Sequence, residues 1–180
     1  PKLRVGDLEG GALEINEGDI LTFTNEKVIG NRERIYVSYP DLHTDVKVGE
    51  KILFDDGKLE VIVKEITAAK EVKVEVTLGG VLLPKKGMNL PDTRISLPSL
   101  TEKDLADLEF IMKQRVEWIA LSFVRSPDDI TGLKEKIKKA GHSAKVIAKI
   151  EMPQAIVNLR DIIVESDGIM VARGDLGVEI

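Results

Sequence analysis

The sequence predicts an α/β protein with two textures: a β-rich first half, followed by a second half in which helices and strands alternate. Three observations carry this. Val72, Val74, Val76 and Leu78 alternate with Lys73, Glu75 and Thr77, the pattern of a half-buried strand. From about Leu90 the apolar period lengthens to that of helices. The second half then reads helix, strand, helix, strand, helix, strand, which is the grammar of a parallel sheet or a βα barrel.

In the first half, Ile35, Val37 and Tyr39 alternate in the same way, and Asp55-Asp56-Gly57 makes a tight turn before Leu59-Glu60-Val61-Ile62-Val63. Gly10-Gly11, Gly49 and Gly79-Gly80 punctuate the rest, so this half is expected to be a small antiparallel barrel or sandwich. In the second half, Thr101 followed by Asp104 resembles a capping box, with Leu105, Leu108, Ile111 and Met112 at helical spacing behind it. A strand is expected at 118–124. Ser126 as N-cap and Pro127 at the first helical position open a second helix, which Gly141 should stop. A strand follows at 146–150. Pro153 opens a third helix expected to turn Ile156, Leu159, Ile162 and Ile163 inward, and a strand at 168–172 completes the series.

With 180 residues, the chain has room for one medium domain or two small ones, and 43% apolar residues suffice for a core. No apolar stretch approaches the roughly 20 residues that span a bilayer, and no charged-then-apolar leader appears, so a soluble globular protein without a membrane partner is expected. Cysteine is absent, which removes disulfide and thiolate chemistry, agrees with a cytoplasmic location and leaves oxygen to hold any metal. A net charge of −5 with 4% aromatics argues against a nucleic-acid surface. An anionic substrate must then be recruited locally. The basic run from Lys134 to Lys139 is broken by Glu135 and Ile137 and reads as a solvated helix face. His43 and His142 have no His-x-x-x-His or His-Glu pairing and are expected at the surface.

The chemistry concentrates near the C-terminus. Lys149-Ile150-Glu151 and Gly174-Asp175 each follow a short apolar run, so their charges fall where two parallel strands would emerge. Side chains alternate faces along a strand, so Lys149 and Glu151 point the same way. Neighbouring strands lie roughly 5 Å apart, which lets Asp175 approach Glu151 if the two runs pair. Two carboxylates beside an ammonium suit a hard divalent cation that completes its shell with water and substrate oxygens. Gly174 and Gly177 bracket Asp175 and allow backbone N–H groups close to an anion. The plainer readings are charged strand tips reaching solvent and, for Lys149, a salt bridge to Glu151 or Asp175.

These residues carry a family resemblance. The run from Val146 through Lys149-Ile150-Glu151, followed by Gly168-Ile169-Met170-Val171-Ala172-Arg173-Gly174-Asp175-Leu176-Gly177-Val178-Glu179-Ile180, resembles pyruvate kinase. Pro1-Lys2-Leu3-Arg4, Asp55-Asp56-Gly57, Lys85-Lys86-Gly87-Met88-Asn89-Leu90-Pro91 and Leu121-Ser122-Phe123-Val124-Arg125 match too, in the family's order. Met152-Pro153-Gln154-Ala155 departs from it: many relatives have an asparagine and then an acidic residue there.

The resemblance implies an α/β fold that is part of a TIM-type βα barrel with an inserted small all-β barrel domain. Residues 1–4 would end a barrel strand, 5–91 form the lid and 92–180 part of the catalytic barrel, making the chain a fragment that is inactive alone. It implies phosphoryl transfer from phosphoenolpyruvate to ADP in glycolysis, with Lys149 catalytic and facing the phosphoryl group. Glu151 and Asp175 would ligate Mg2+ or Mn2+, and Gly174 would offer a backbone N–H to the substrate carboxylate. Arg4 and Lys86 match positions that contact nucleotide phosphates, Lys86 from a loop between lid and barrel. Asp56 is explained equally well by a hairpin and is left out of the site. Ser122 and Phe123 would line the barrel mouth, although core packing accounts for Phe123 as well. A lysine at the position of Lys2 is associated with independence of K+. Relatives are usually homotetramers. Two rival readings stay open: a metal-dependent aldolase or lyase acting on a pyruvate enolate, and a non-catalytic interaction module.

Overall fold

The computed structural model describes residues 3–180, and the chain divides into two compact units, the first ending at Ser96 and the second being Leu97–Ile180. The first unit carries β1 (Leu3–Arg4), β2 (Leu13–Ile15), β3 (Ile20–Thr24), β4 (Ile35–Tyr36), the single-turn α1 (Leu42–Asp45), β5 (Lys51–Phe54), β6 (Leu59–Ile66), β7 (Val72–Leu78), β8 (Gly80–Leu82) and β9 (Gly87–Asn89). Seven of these strands form one sheet in the order β1-β9-β5-β6-β7-β3-β4, while β2 and β8 pair separately. The sheet curls until its two ends meet. Beyond β1, Val5 bridges Val37 antiparallel, the Gly6 N–H donates to the Tyr36 carbonyl at 2.8 Å and the Ser38 N–H to the Arg4 carbonyl at 2.8 Å.

The alternation that reads as strand in the sequence fills the interior. Leu21, Phe23, Ile52, Phe54, Val61, Val63, Val74 and Val76 are all buried, and the Phe23 and Phe54 rings meet edge to face at 5.4 Å. Full burial of each such side chain contributes about 1.5–3 kcal/mol. The expectation of a purely antiparallel unit needs one correction: β3 and β4 run parallel, because a longer excursion separates them than a hairpin allows. The strand expected through Tyr39 is likewise cut to β4, with Val37 continuing only as an isolated bridge to Val5 and Tyr39 as a buried loop residue.

The second unit alternates α2 (Glu102–Ile111), β10 (Trp118–Leu121), α3 (Pro127–Lys139), β11 (Lys145–Ile150), α4 (Pro153–Val157), α5 (Leu159–Glu165), β12 (Gly168–Val171) and α6 (Arg173–Glu179). The strands form a parallel sheet, β10-β11-β12, with Ile119 opposite Val146 and Ala148 opposite Ile169. Helix starts follow the sequence signals: Thr101 and Asp104 cap α2 reciprocally, and the Asp129 carboxylate accepts from the Ser126 N–H ahead of α3. Gly141 at φ 68° ends α3 in the left-handed region, where glycine carries no Cβ penalty. Ile130, Leu133 and Ile137 of α3 pack with Val146, Ala148 and Ile150 of β11, and Lys136, Lys138 and Lys139 face solvent. Asp167, just before β12, accepts from the Val146 N–H at 2.8 Å and from Lys134 at 3.1 Å, which holds its carboxyl below the usual range.

The structure departs from expectation at three places here. The third helix breaks at Asn158, whose backbone leaves helical geometry while its side-chain amide donates to the Arg125 carbonyl at 2.8 Å. Ala155 and Ile162 turn inward, whereas Ile156 and Ile163 are exposed. The strand expected to reach Val124 stops at Leu121, because Phe123 adopts a left-handed φ of 56°. His142 is more than a surface residue: its Nδ1 accepts from the Ala144 N–H and its Nε2 lies 3.0 Å from the Gln114 carbonyl, which fixes the turn after α3.

Two glycines give opposite expectations. A Cβ at Gly79 would stand 2.6 Å from the Ile15 carbonyl, a backbone atom that cannot swing aside, so Gly79→Ala should destabilise the chain by about 1–3 kcal/mol. A Cβ at Gly132, inside α3, meets nothing within 4 Å, so Gly132→Ala should stabilise it by about 0.5–1 kcal/mol. Urea titrations of the two variants against the unmodified chain measure both signs.

Candidate functional site

The site residues expected from the sequence fall into two groups, one in each unit. In the second unit, β10, β11 and β12 run parallel in register, so the residues that follow them stand at one end of the sheet. Ser122 follows β10, Lys149 stands near the end of β11 with Glu151 just past it, and Asp175 comes shortly after β12. The outer-face residues Val146, Ala148 and Ile150 are buried under the helices, which by alternation turns Lys149 and Glu151 to the opposite face.

Glu151 keeps only 1% of its surface, and each of its oxygens has a partner. Oε1 lies 2.7 Å from Lys149 Nζ, and Oε2 accepts from the backbone N–H of Phe123 at 2.6 Å. Lys149, whose side chain is about a quarter exposed, also donates from its ammonium to Ser122 Oγ at 3.0 Å. The salt bridge weighed for Lys149 is therefore present. The left-handed turn at Phe123 that ends β10 also aims its N–H at the carboxylate. This role of Phe123 was not legible, since neither its backbone conformation nor a contact 28 residues away leaves a sequence signal.

Asp175 and Gly174 lie in the first turn of α6, correcting the glycine-rich turn expected there. Neither Gly174 nor Gly177 has a positive φ, and a Cβ on either would meet nothing within 4 Å. First-turn N–H groups have no acceptor within their own helix, so this segment still presents donors beyond β12. Among the described residues no cluster of three or more His, Cys, Asp or Glu side chains could hold a metal by itself. A cation here would take one or two carboxylates and complete its shell from water and substrate, as magnesium does. A cavity of about 680 Å³, lined among others by Trp118, His142 and Lys145, lies at the other end of these strands, where Lys145 sits over the Trp118 ring at 5.2 Å.

In the first unit, Arg4 and Lys86 are brought together. Arg4 pairs with Gly87 across β1 and β9, and its guanidinium donates to the Lys85 carbonyl at 2.8 Å. Lys86 reaches Asp55 Oδ1 at 2.7 Å. Asp55 begins the β5–β6 turn, and its N–H donates to the Gly87 carbonyl at 3.2 Å. The Lys86 loop joins β8 to β9 inside this unit, and the unit continues past it to Ser96. Lys2 lies outside the described residues.

Comparison with known proteins adds the following. A family model described as pyruvate kinase, barrel domain, matches residues 1–180. The chain is 44% identical over 184 residues to a pyruvate kinase of Geobacillus stearothermophilus and 43% identical over 181 residues to one of Staphylococcus aureus strain MRSA252. All of the chain is covered in both cases, against 31% of each relative, so it spans about a third of the length of these curated proteins.

The Glu151 environment gives a stability expectation. Lys149→Met strands a buried carboxylate and should cost about 2–3 kcal/mol, less than the 3–5 of a fully buried pair because the ammonium is partly in water. Adding Glu151→Leu should recover most of that loss. A double-mutant cycle in urea measures the non-additivity.

Proposed function

Because the chain belongs to the pyruvate kinase family, we propose that it is part of an enzyme that transfers the phosphoryl group of phosphoenolpyruvate to ADP, giving pyruvate and ATP in glycolysis. The observation that carries this reading is the Lys149–Glu151 pair at the end of a parallel sheet, with Asp175 following the neighbouring strand. In this reading residues 5–91 are a small all-β barrel domain inserted into a TIM-type barrel, of which 1–4 and 92–180 are parts. The complete enzyme is a cytoplasmic homotetramer.

Glu151 and Asp175 would hold Mg2+ or Mn2+, and the donor set fits: both side chains offer oxygen to a hard ion that needs few protein ligands. When bound, the ion supplies Lewis acidity and a template for substrate oxygens. The Phe123 N–H fixes the orientation of the Glu151 carboxylate through its second oxygen. Lys149 faces the travelling phosphoryl group, whose transfer depends on positioning and on compensating mobile negative charge. Its bond to Ser122 limits where the ammonium can go. Gly174 offers its N–H to the substrate carboxylate. Arg4 and Lys86, on one corner of the β unit, contact the nucleotide phosphates.

In the full-length enzyme, Lys149→Met should lower kcat by roughly 10²- to 10³-fold, the usual loss for one electrostatic donor. Unchanged turnover would remove Lys149 from the chemistry. Glu151→Gln and Asp175→Asn should each raise the Mg2+ concentration for half-maximal activity, non-additively because both act on one ion. Metal titrations that overlay the unmodified enzyme would place the ion elsewhere. Lys2 motivates a separate expectation: the enzyme should run without K+, and Lys2→Glu should make it K+-dependent, since a fixed ammonium disfavours a second cation beside it. Strong activation of the unmodified enzyme by KCl over an organic cation salt of equal ionic strength would refute it.

A further inference from the structure

Asp55 stands between two lysines. Its Oδ1 lies 2.7 Å from Lys86 and its Oδ2 3.2 Å from Lys58. The first contact is the better sheltered, with Lys86 34% and Asp55 18% exposed, whereas Lys58 is 71% exposed. The two ammonium groups hold the Asp55 carboxyl below the usual carboxylate range, Lys86 contributing most.

Backbone hydrogen bonds hold the frame around this pair, whereas the Lys86 ammonium is held by its ion pair with Asp55. Lys85 holds a left-handed φ of 61°, its N–H donates to the Val5 carbonyl at 3.1 Å and its carbonyl accepts from Arg4. The Val5 N–H in turn donates to the Lys86 carbonyl at 3.0 Å. Asp55 is fixed by its own left-handed φ of 50° and its N–H bond to Gly87. Four flexible methylenes carry the Lys86 ammonium, so the ion pair is the element free to exchange.

We propose that Asp55 is a positioning residue that parks Lys86, and that nucleotide phosphate binds by displacing this carboxylate from the lysine. The proposal rests on the reading of Lys86 as a nucleotide contact. Exchange leaves Asp55 a partner, because Lys58 holds its other oxygen from the open side. It also sets a threshold for anions. A ligand must outbid a carboxylate already 2.7 Å away, which favours a multiply charged diphosphate over a single weak anion.

The test is steady-state kinetics of the full-length kinase with ADP as varied substrate, comparing the unmodified enzyme with Asp55→Asn and Lys86→Met. Asparagine suits the left-handed turn, so Asp55→Asn keeps the backbone while removing the charge. The KM for ADP should fall about two- to five-fold, the worth of a partly exposed ion pair, with kcat held within about two-fold. A residue that merely supported the fold would not tighten binding when replaced. Lys86→Met should raise the same KM. If Lys86→Met raises it and Asp55→Asn leaves it unchanged or raises it, parking is wrong while the nucleotide reading stands. If Lys86→Met has no effect, Lys86 does not touch the nucleotide and the proposal falls with that reading. If the unmodified enzyme makes no ATP from phosphoenolpyruvate and ADP, the proposed function itself fails.

Discussion

Glu151 is a carboxylate with almost no surface left in water, and a charge so placed has to be neutralised within hydrogen-bond reach. Its two partners come from different stretches of chain, and the geometry of the strand ends follows from supplying them. Lys149 is available because strand alternation puts it two residues back on the same face. The Phe123 N–H is available because β10 ends in a left-handed turn that a phenylalanine adopts only where its surroundings impose it. Ser122, just ahead of that turn, then meets Lys149. One buried carboxylate thus ties β10 to β11 at the end where chemistry would occur. The price is a lysine whose departure exposes an uncompensated charge.

The cations of the β unit obey a different balance. Lys86 and Asp55 keep enough contact with water that separating them is cheap, and their surroundings are held by backbone hydrogen bonds and by left-handed residues at 55, 56 and 85. Strength in the first pair and looseness in the second follow from burial, since both carboxylates meet a lysine at the same distance of 2.7 Å.

Much of this was legible in the sequence where signals are local. The capping pair of α2, the Ser126-Pro127 start of α3 and the alternation of β7 depend on neighbours a few residues apart, and each became the element it announces. The Lys149–Glu151 pairing was legible for the same reason. What escaped depends on distant partners. The break at Asn158 is set by the Arg125 carbonyl, the end of β10 by Phe123 meeting Glu151, and the hold on Lys86 by a carboxylate 31 residues earlier. Ile156 and Ile163 carry the pattern of an inward helix face, yet a helix broken between them cannot keep one face aligned. Gly174 and Gly177 suggested a turn, since composition does not tell a loop from the opening of a short helix.

The first unit enters and leaves by one door. Arg4, at its start, is bound through both its N–H and its carbonyl to Ser38. Ser96, at its end, donates its N–H to the Tyr39 hydroxyl and to Asp45, and the burial of Tyr39 together with its bond to the Asp45 carboxylate pushes the phenol up to about 12. Two consecutive residues, Ser38 and Tyr39, therefore grip both ends of a segment more than ninety residues long. Joining the two ends to one pair of neighbouring residues brings the start and the finish of the unit to the same place on its own surface. Loosening that one pair of residues would therefore free both ends of the unit at once.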